Sequence, residues 1–257
     1  MFNITAIPAF NDNYIWAISV PGCKDIAVVD PGDAAVVKHY LKANQLNLSA
    51  ILITHHHQDH TGGVKQLAAD YELTVYGPAN SPFDGIQKVL GNGDAIDLFG
   101  QSLTIQEVPG HTLDHISYFH AAATPQLLCG DTLFLAGCGR LFEGSAAQMF
   151  SAMNYFKALP DNTEIYCTHE YSLANLAFAA AVEPDNDAIQ DSISHCNSLR
   201  QQQTPTLPST IGAEKKINPF MRTAEASVRQ AAELFSGSKP GSETDVFATI
   251  REWKNQF

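Results

Sequence analysis

Residues 54 to 60 read THHHQDH and follow directly on the apolar run of the strand pattern AILIT (50–54). A strand of that composition is buried, so the four histidines and the aspartate start from a rigid point at a sheet end rather than from a surface tract. In an extended segment residues i and i+2 project to the same side, so His55 and His57 can grip one ion. Asp59 and His60 stand where the chain turns into a helix and can reach a neighbouring ion. The Gly62-Gly63 pair that follows supplies the backbone freedom for so tight an exit.

The same placement recurs downstream. His111 follows LTIQEV (103–108), Asp131 follows QLLCG (126–130) and His169 follows EIYCT (164–168). Loops at strand ends collect functional side chains because the sheet fixes their starting points. Five His and two Asp are too many for one tetrahedral ion and suit two. His55, His57 and His111 are assigned to one metal, and Asp59, His60 and His169 to the other. Asp131 is placed between them, where a carboxylate can bridge. His56 points away from this set, and His115 is read as supporting a ligand rather than acting as one. His39, His120 and His195 have no companions. Cys167 reads as a buried thiol, and Asp30 either orients a ligand imidazole or forms the turn before Pro31-Gly32.

Strand patterns at 14–20, 26–30, 50–54, 73–77, 103–108, 115–120, 126–130 and 164–168 alternate with helical ones. Asp33 caps the first helix, whose apolar face is Val36, Val37, Tyr40 and Leu41. A further helix is expected at 145–159. Beyond about residue 171 only helices are expected (172–182, 187–203, 224–235 and 243–257), with the Pro-punctuated stretch 204–220 as a loop. Mixed strands and helices first, helices last, imply an α/β (α+β) sandwich over residues 1–170 and an α-helical cap over 171–257.

A net charge of −12 argues against nucleic acid or an anionic membrane as partner. Residues 1–138 carry 5 Lys/Arg against 13 Asp/Glu, so cationic contacts to an anionic substrate are expected from the later part. Five scattered cysteines with no C-x-x-C pair read as reduced thiols. With no signal-peptide pattern and no apolar run of membrane length, the chain is expected to be soluble and cytoplasmic.

H-x-H-x-D-H followed in order by His111, Asp131 and His169 resembles the metallo-β-lactamase superfamily, which implies an αββα sandwich with a metal site at one edge. The phrases NDNYIW (11–16), CGDTLFLAGCGRLFEG (129–144), THEYSLANLAFA (168–179) and NPFMR (218–222), with the ending REWKNQF, are similar to the glyoxalase II family across the whole chain. That resemblance implies hydrolysis of S-D-lactoylglutathione to D-lactate and glutathione, the second step of methylglyoxal detoxification. It also implies a glutathione site made of Arg140, Phe142, Tyr171, Arg251 and Lys254. Their position at the chain end makes the last two solvent-exposed by expectation. Phe142 stands where the family often has tyrosine, and Arg140 where lysine is common, which implies altered affinity rather than altered chemistry.

Two divalent ions, zinc first with iron or manganese as alternatives, are the expected cofactors, and a monomer is expected. A water between them ionises readily and attacks the thioester carbonyl, with Asp59 and Asp131 as the catalytic carboxylates that hold it. No G-x-S-x-G is present for a serine mechanism. An iron persulfide dioxygenase, a secreted β-lactamase and a structural metal module are the rivals weighed. The helical cap, the absent signal pattern and the excess of His/Asp ligands count against them in turn.

Overall fold

The computed structural model describes residues 1–257. The chain divides into two compact units, Met1–Val108 with Asp114–Gly130, and Pro109–Leu113 with Asp131–Phe257.

The first unit is built on a six-stranded mixed sheet of β1 (Asn3–Ala9), β2 (Asn13–Ser19), β3 (Asp25–Val29), β4 (Asn47–Leu52), β5 (Thr74–Pro78) and β6 (Lys88–Leu90), in that order. β1, β2 and β3 pair antiparallel; β3 to β6 run parallel. β3 and β4 are joined through α1 (Ala34–Asn44), and β4 and β5 through α2 (Gln58–Thr61) with α3 (Val64–Asp70). Asp33 caps α1 by accepting from the Ala35 N–H, as its sequence position predicts. Ile15, Ala17, Ile26, Val28, Ile51 and Val75 pack on Val37, Leu41, Val64 and Leu67 of α1 and α3. The alternate residues Trp16, Ile18, Val29 and Leu52 are equally buried, so the sheet is covered on both faces. That explains why its strands read as unbroken apolar runs.

A second, antiparallel set follows: β7 (Ala95–Leu98), β8 (Gln101–Glu107), β9 (Ile116–His120) and β10 (Gln126–Gly130). It meets the first sheet where β4 ends. The Tyr118 hydroxyl donates to Ile53 O (2.7 Å) and the Ile116 N–H to Thr54 O (2.9 Å). The carboxyl ends of β3 and β4 therefore lie on a braced edge.

The second unit holds a short hairpin, β11 (Leu133–Phe134) with β12 (Gly137–Cys138). It continues with α4 (Ala146–Lys157), β13 (Glu164–Cys167), α5 (Ser172–Val182), α6 (Asp187–Gln201), β14 (Ser209–Thr210), α7 (Ile211–Ile217), α8 (Ala226–Ser236) and α9 (Glu243–Gln256). Ser145 and Gln148 close a capping box on α4. Phe150, Phe178, Phe220, Phe247 and Trp253 form the aromatic centre of the helices. Arg222 forks onto Glu183 (2.6 and 3.0 Å), which also accepts from Ser227 (2.6 Å).

The expected loop 204–220 is corrected. It contains β14, paired with β13, and the helix α7, capped by Thr210. Pro205 and Pro208 lie ahead of these elements and Pro219 just beyond α7, so the prolines bracket the helix and do not interrupt it. No helix is long and apolar enough to cross a membrane.

Candidate metal centre

The ligand-type residues fall into two sets, one in each unit. In the first, the chain leaves β3 at Asp30 and β4 at Thr54. Asp30 sits in the left-handed region (φ 53°), which Asp tolerates better than most residues. Its carboxylate, almost fully buried, accepts from the Thr54 N–H (2.7 Å), the Thr54 hydroxyl (2.7 Å) and His60 Nδ1 (2.9 Å). Because the Thr54 hydroxyl donates to Asp30, it accepts from His55 Nδ1 (3.1 Å). One carboxylate thus places a proton on Nδ1 of both His55 and His60 and puts both lone pairs on Nε2. Of the two readings open for Asp30 in the sequence, the structure favours orientation of an imidazole.

His55 Nε2 and His57 Nδ1 converge to 3.0 Å, as two ligands of one ion do when each stands about 2.0–2.1 Å from it. His60 Nε2 lies 3.4 Å from Asp59 Oδ2, and Asn13 Nδ2 donates to the same oxygen (3.0 Å). His56 turns to Asp114 (3.0 Å), and His115 stacks on the His55 ring with centroids 4.6 Å apart. Neither joins the converging atoms, as the sequence predicts.

In the second unit, Asp131 Oδ2 lies 3.1 Å from His169 Nε2 and 3.5 Å from His111 Nε2. A single carboxylate oxygen is shared by two imidazoles. His111 Nδ1 donates to Arg140 O (2.8 Å), which again puts the ring's lone pair on Nε2. Gly139 is required here: a Cβ would lie 2.0 Å from Asp131 O and 3.1 Å from His111 Nδ1. The donor chemistry of both sets, neutral imidazole nitrogen and carboxylate oxygen, suits borderline divalent ions. Cys167 is fully buried, and burial pushes its thiol far above the ordinary range. None of the five cysteines is in a disulfide.

Around the second set, Tyr171 stacks flat on His169 (centroids 4.6 Å apart), and the exposed Phe142 meets His111 edge-on (5.3 Å). The Arg140 guanidinium lies 5.7 Å over the Phe142 ring. Arg251 departs from the expected exposure. It is only 6% exposed, donates through Nη1 to Cys138 O (2.8 Å) and lies over the Phe220 ring. α9 packs its Ile250–Arg251 edge inward, so chain-end position did not mean solvent. Lys254 is half-buried and donates to Ala174 O (3.1 Å); burial, then the neighbouring Arg251 charge, brings its pKa down to about 8. Thr54, Asn13 and Asp114 escaped the sequence reading, since a single buried hydroxyl, amide or carboxylate carries no spacing signal.

The fold and the paired ligand sets define a class. Residues 11–169 match the metallo-beta-lactamase superfamily model, and the chain has that α/β fold with mixed sheets and a C-terminal helical region. A solved structure, ETHE1 from Myxococcus xanthus, is similar over 98% of this chain and 91% of its own, with a TM-score of 0.67 and 20% identity. The fold and its His/Asp clusters imply divalent metal ions.

The remaining residues, 170–257, match the model described as hydroxyacylglutathione hydrolase C-terminus. Over 100% of both chains, this sequence is 49% identical to the hydroxyacylglutathione hydrolase of Pseudomonas paraeruginosa and 52% identical to that of Hahella chejuensis. The chain belongs to the hydroxyacylglutathione hydrolase family.

Proposed function

We infer that this chain is the thioesterase of the glyoxalase II reaction, hydrolysing S-2-hydroxyacylglutathione, foremost S-D-lactoylglutathione, to the hydroxyacid and glutathione. Full-length similarity to enzymes of that name supports the activity. The observation that carries the mechanism is the Asp131 carboxylate oxygen shared between His111 and His169.

The centre is read as two ions per chain, zinc first and iron or manganese next. His55, His57 and His111 would hold one, Asp59, His60 and His169 the other, and Asp131 would serve both. Residues 1–170 act as the catalytic domain and 171–257 as the helical substrate-binding cap, in a cytoplasmic monomer. When bound, two divalent ions would make a water at the centre far more acidic than bulk water and would polarise the thioester carbonyl. Asp30 keeps the His55 and His60 lone pairs on Nε2, and the Arg140 carbonyl does the same for His111. Asn13 holds Asp59 by one oxygen. Asp59 and Asp131 fix the position and approach line of the attacking water.

Outside the metal set, Arg140 supplies positive charge for a glutathione carboxylate, and Phe142 and Tyr171 supply ring faces beside His111 and His169. Lys254 and the Arg251 Nε, buried without a partner in the chain, complete the anion site. The test is hydrolysis of S-D-lactoylglutathione followed at the thioester absorbance, with oxygen uptake on glutathione persulfide in parallel. Thioester loss without oxygen uptake is expected; persulfide-dependent oxygen uptake without thioester loss would overturn the reading.

A further inference from the structure

The hairpin segment 134–138 runs between Asp131 and Arg140, and its backbone is gripped by four side chains from the helices that follow. Asn218, at the C-terminal end of α7, donates to Phe134 O (3.2 Å) and Gly137 O (2.9 Å). Asn175 of α5 donates to Leu135 O (3.1 Å) and Arg251 of α9 to Cys138 O (2.8 Å). The Ala136 N–H donates to Glu214 Oε2 of α7 (2.8 Å). Each of the five consecutive residues is held, and all four holding side chains are buried. Glu214 also accepts from Asn218 (2.9 Å) and Ser209 (2.5 Å), so the grips are linked to one another.

The held conformation is not one that the segment favours alone. Ala136 lies in the left-handed region (φ 53°), which is unfavourable for a residue with a Cβ and persists where the surroundings dictate it. The Glu214 bond is made to that residue's N–H. A Cβ on Gly137 would lie 2.6 Å from the Asn175 amide, so the hairpin sits closer to α5 than any side chain allows. From there the chain passes through Gly139, whose N–H donates to Thr132 O (3.1 Å), to the Arg140 carbonyl that orients His111.

We propose that Glu214, Asn218 and Asn175 are positioning residues of the metal centre, fixing the 134–138 hairpin so that Asp131 and the Arg140 carbonyl keep their places. The proposal rests on the reading of Asp131 and His111 as metal ligands. It gives the helical cap a second task beside substrate binding: it sets the geometry of the hydrolytic centre. A network that served only the packing of the helices would affect metal binding no more than any other buried bond there.

The test compares variants of the purified holoenzyme by thermal unfolding, by zinc affinity in competition with a chromophoric chelator, and by the absorption spectrum after cobalt substitution. Asn218→Ala removes two of the carbonyl grips and is expected to weaken zinc binding roughly ten- to hundredfold with a changed cobalt spectrum. Asn175→Ala removes one grip, has a smaller effect in the same direction, and carries the test if Asn218→Ala does not fold. Glu214→Gln keeps an acceptor for the Ala136 N–H and a donor to Ser209, and holds zinc as the unchanged protein does. Ser227→Ala breaks a buried bond to Glu183 in the same helical part without touching 134–138; it lowers Tm and leaves zinc affinity unchanged. The proposal is overturned if both asparagine variants bind zinc as the unchanged protein does, or if Ser227→Ala loses zinc in step with its Tm. Asp131→Asn separates the two readings: if it retains both ions, the ligand assignment fails, and if it alone loses them, only the positioning role does.

Discussion

Asp30→Asn replaces one oxygen with an amide and changes almost no volume, yet the hydrogen-bond chain around it has no place for the new donor. Facing Thr54 Oγ1 and His60 Nδ1, the amide turns both acceptor roles into donor roles. His60 must then accept on Nδ1 and carry its proton on Nε2, the nitrogen needed for the ion. The Thr54 hydroxyl, now an acceptor from the amide, turns its own proton on His55 Nδ1 with the same result. Flipping the amide sets it against the Thr54 N–H instead, 2.7 Å away, and leaves two buried donors facing each other. The first arrangement lowers metal affinity roughly ten- to hundredfold, as loss of a partner behind a ligand does. The second leaves affinity nearer its original value and lowers stability by about 1–3 kcal/mol. Chelator competition with denaturant unfolding of the metal-stripped protein reads both. If Asp30→Asn binds metal and unfolds like the unchanged protein, the account of Asp30 is wrong.

Burial pushes Glu214 up to about 7, against an ordinary 4.5, and its three donors offset this only in part. Its contribution to stability is therefore complete below pH 4.5 and lost as pH rises through about 7. Denaturant unfolding should show a loss of about 3 kcal/mol between pH 4.5 and pH 8.5 that Glu214→Gln lacks; equal pH slopes would refute it. Gly139→Ala forces a Cβ into Asp131 O and should sharply lower metal content by elemental analysis while leaving the far-ultraviolet circular dichroism intact. With Lys254 titrating near 8, the KM for S-D-lactoylglutathione should rise as pH passes about 8, and Lys254→Arg should remove that rise; a KM flat to pH 9 would exclude a role for its charge in binding.

Much of this site could be read from spacing because strand ends announce themselves. AILIT, QLLCG and EIYCT are apolar runs, and each is followed within a few residues by a His or Asp of the two sets. The helices 172–182, 187–201, 226–236 and 243–256 likewise show their period in the sequence. What was hidden is short or depends on tertiary partners. β11, β12 and β14 have two residues each, below any periodic signal, and β1 (NITAIPA) carries a proline on the edge of its sheet. α7 has seven residues and follows a proline-rich entry. The burial of Arg251 depends on Cys138 and Phe220, far away in sequence, and REWKNQF alone looks like a solvated helix end. The roles of Glu214 and of Asn218, which opens NPFMR, were hidden for the same reason: they lie in backbone groups some eighty residues earlier.

Stepwise reconstitution decides whether the proposed thioesterase centre works with two ions. Metal-stripped protein is titrated with zinc while bound metal and S-D-lactoylglutathione hydrolysis are read on the same samples. The account predicts that hydrolysis reaches its full value only as the second equivalent binds, and that Asp131→Asn fails to reach it at any zinc concentration. Full activity at one equivalent, unchanged by more zinc, would contradict it.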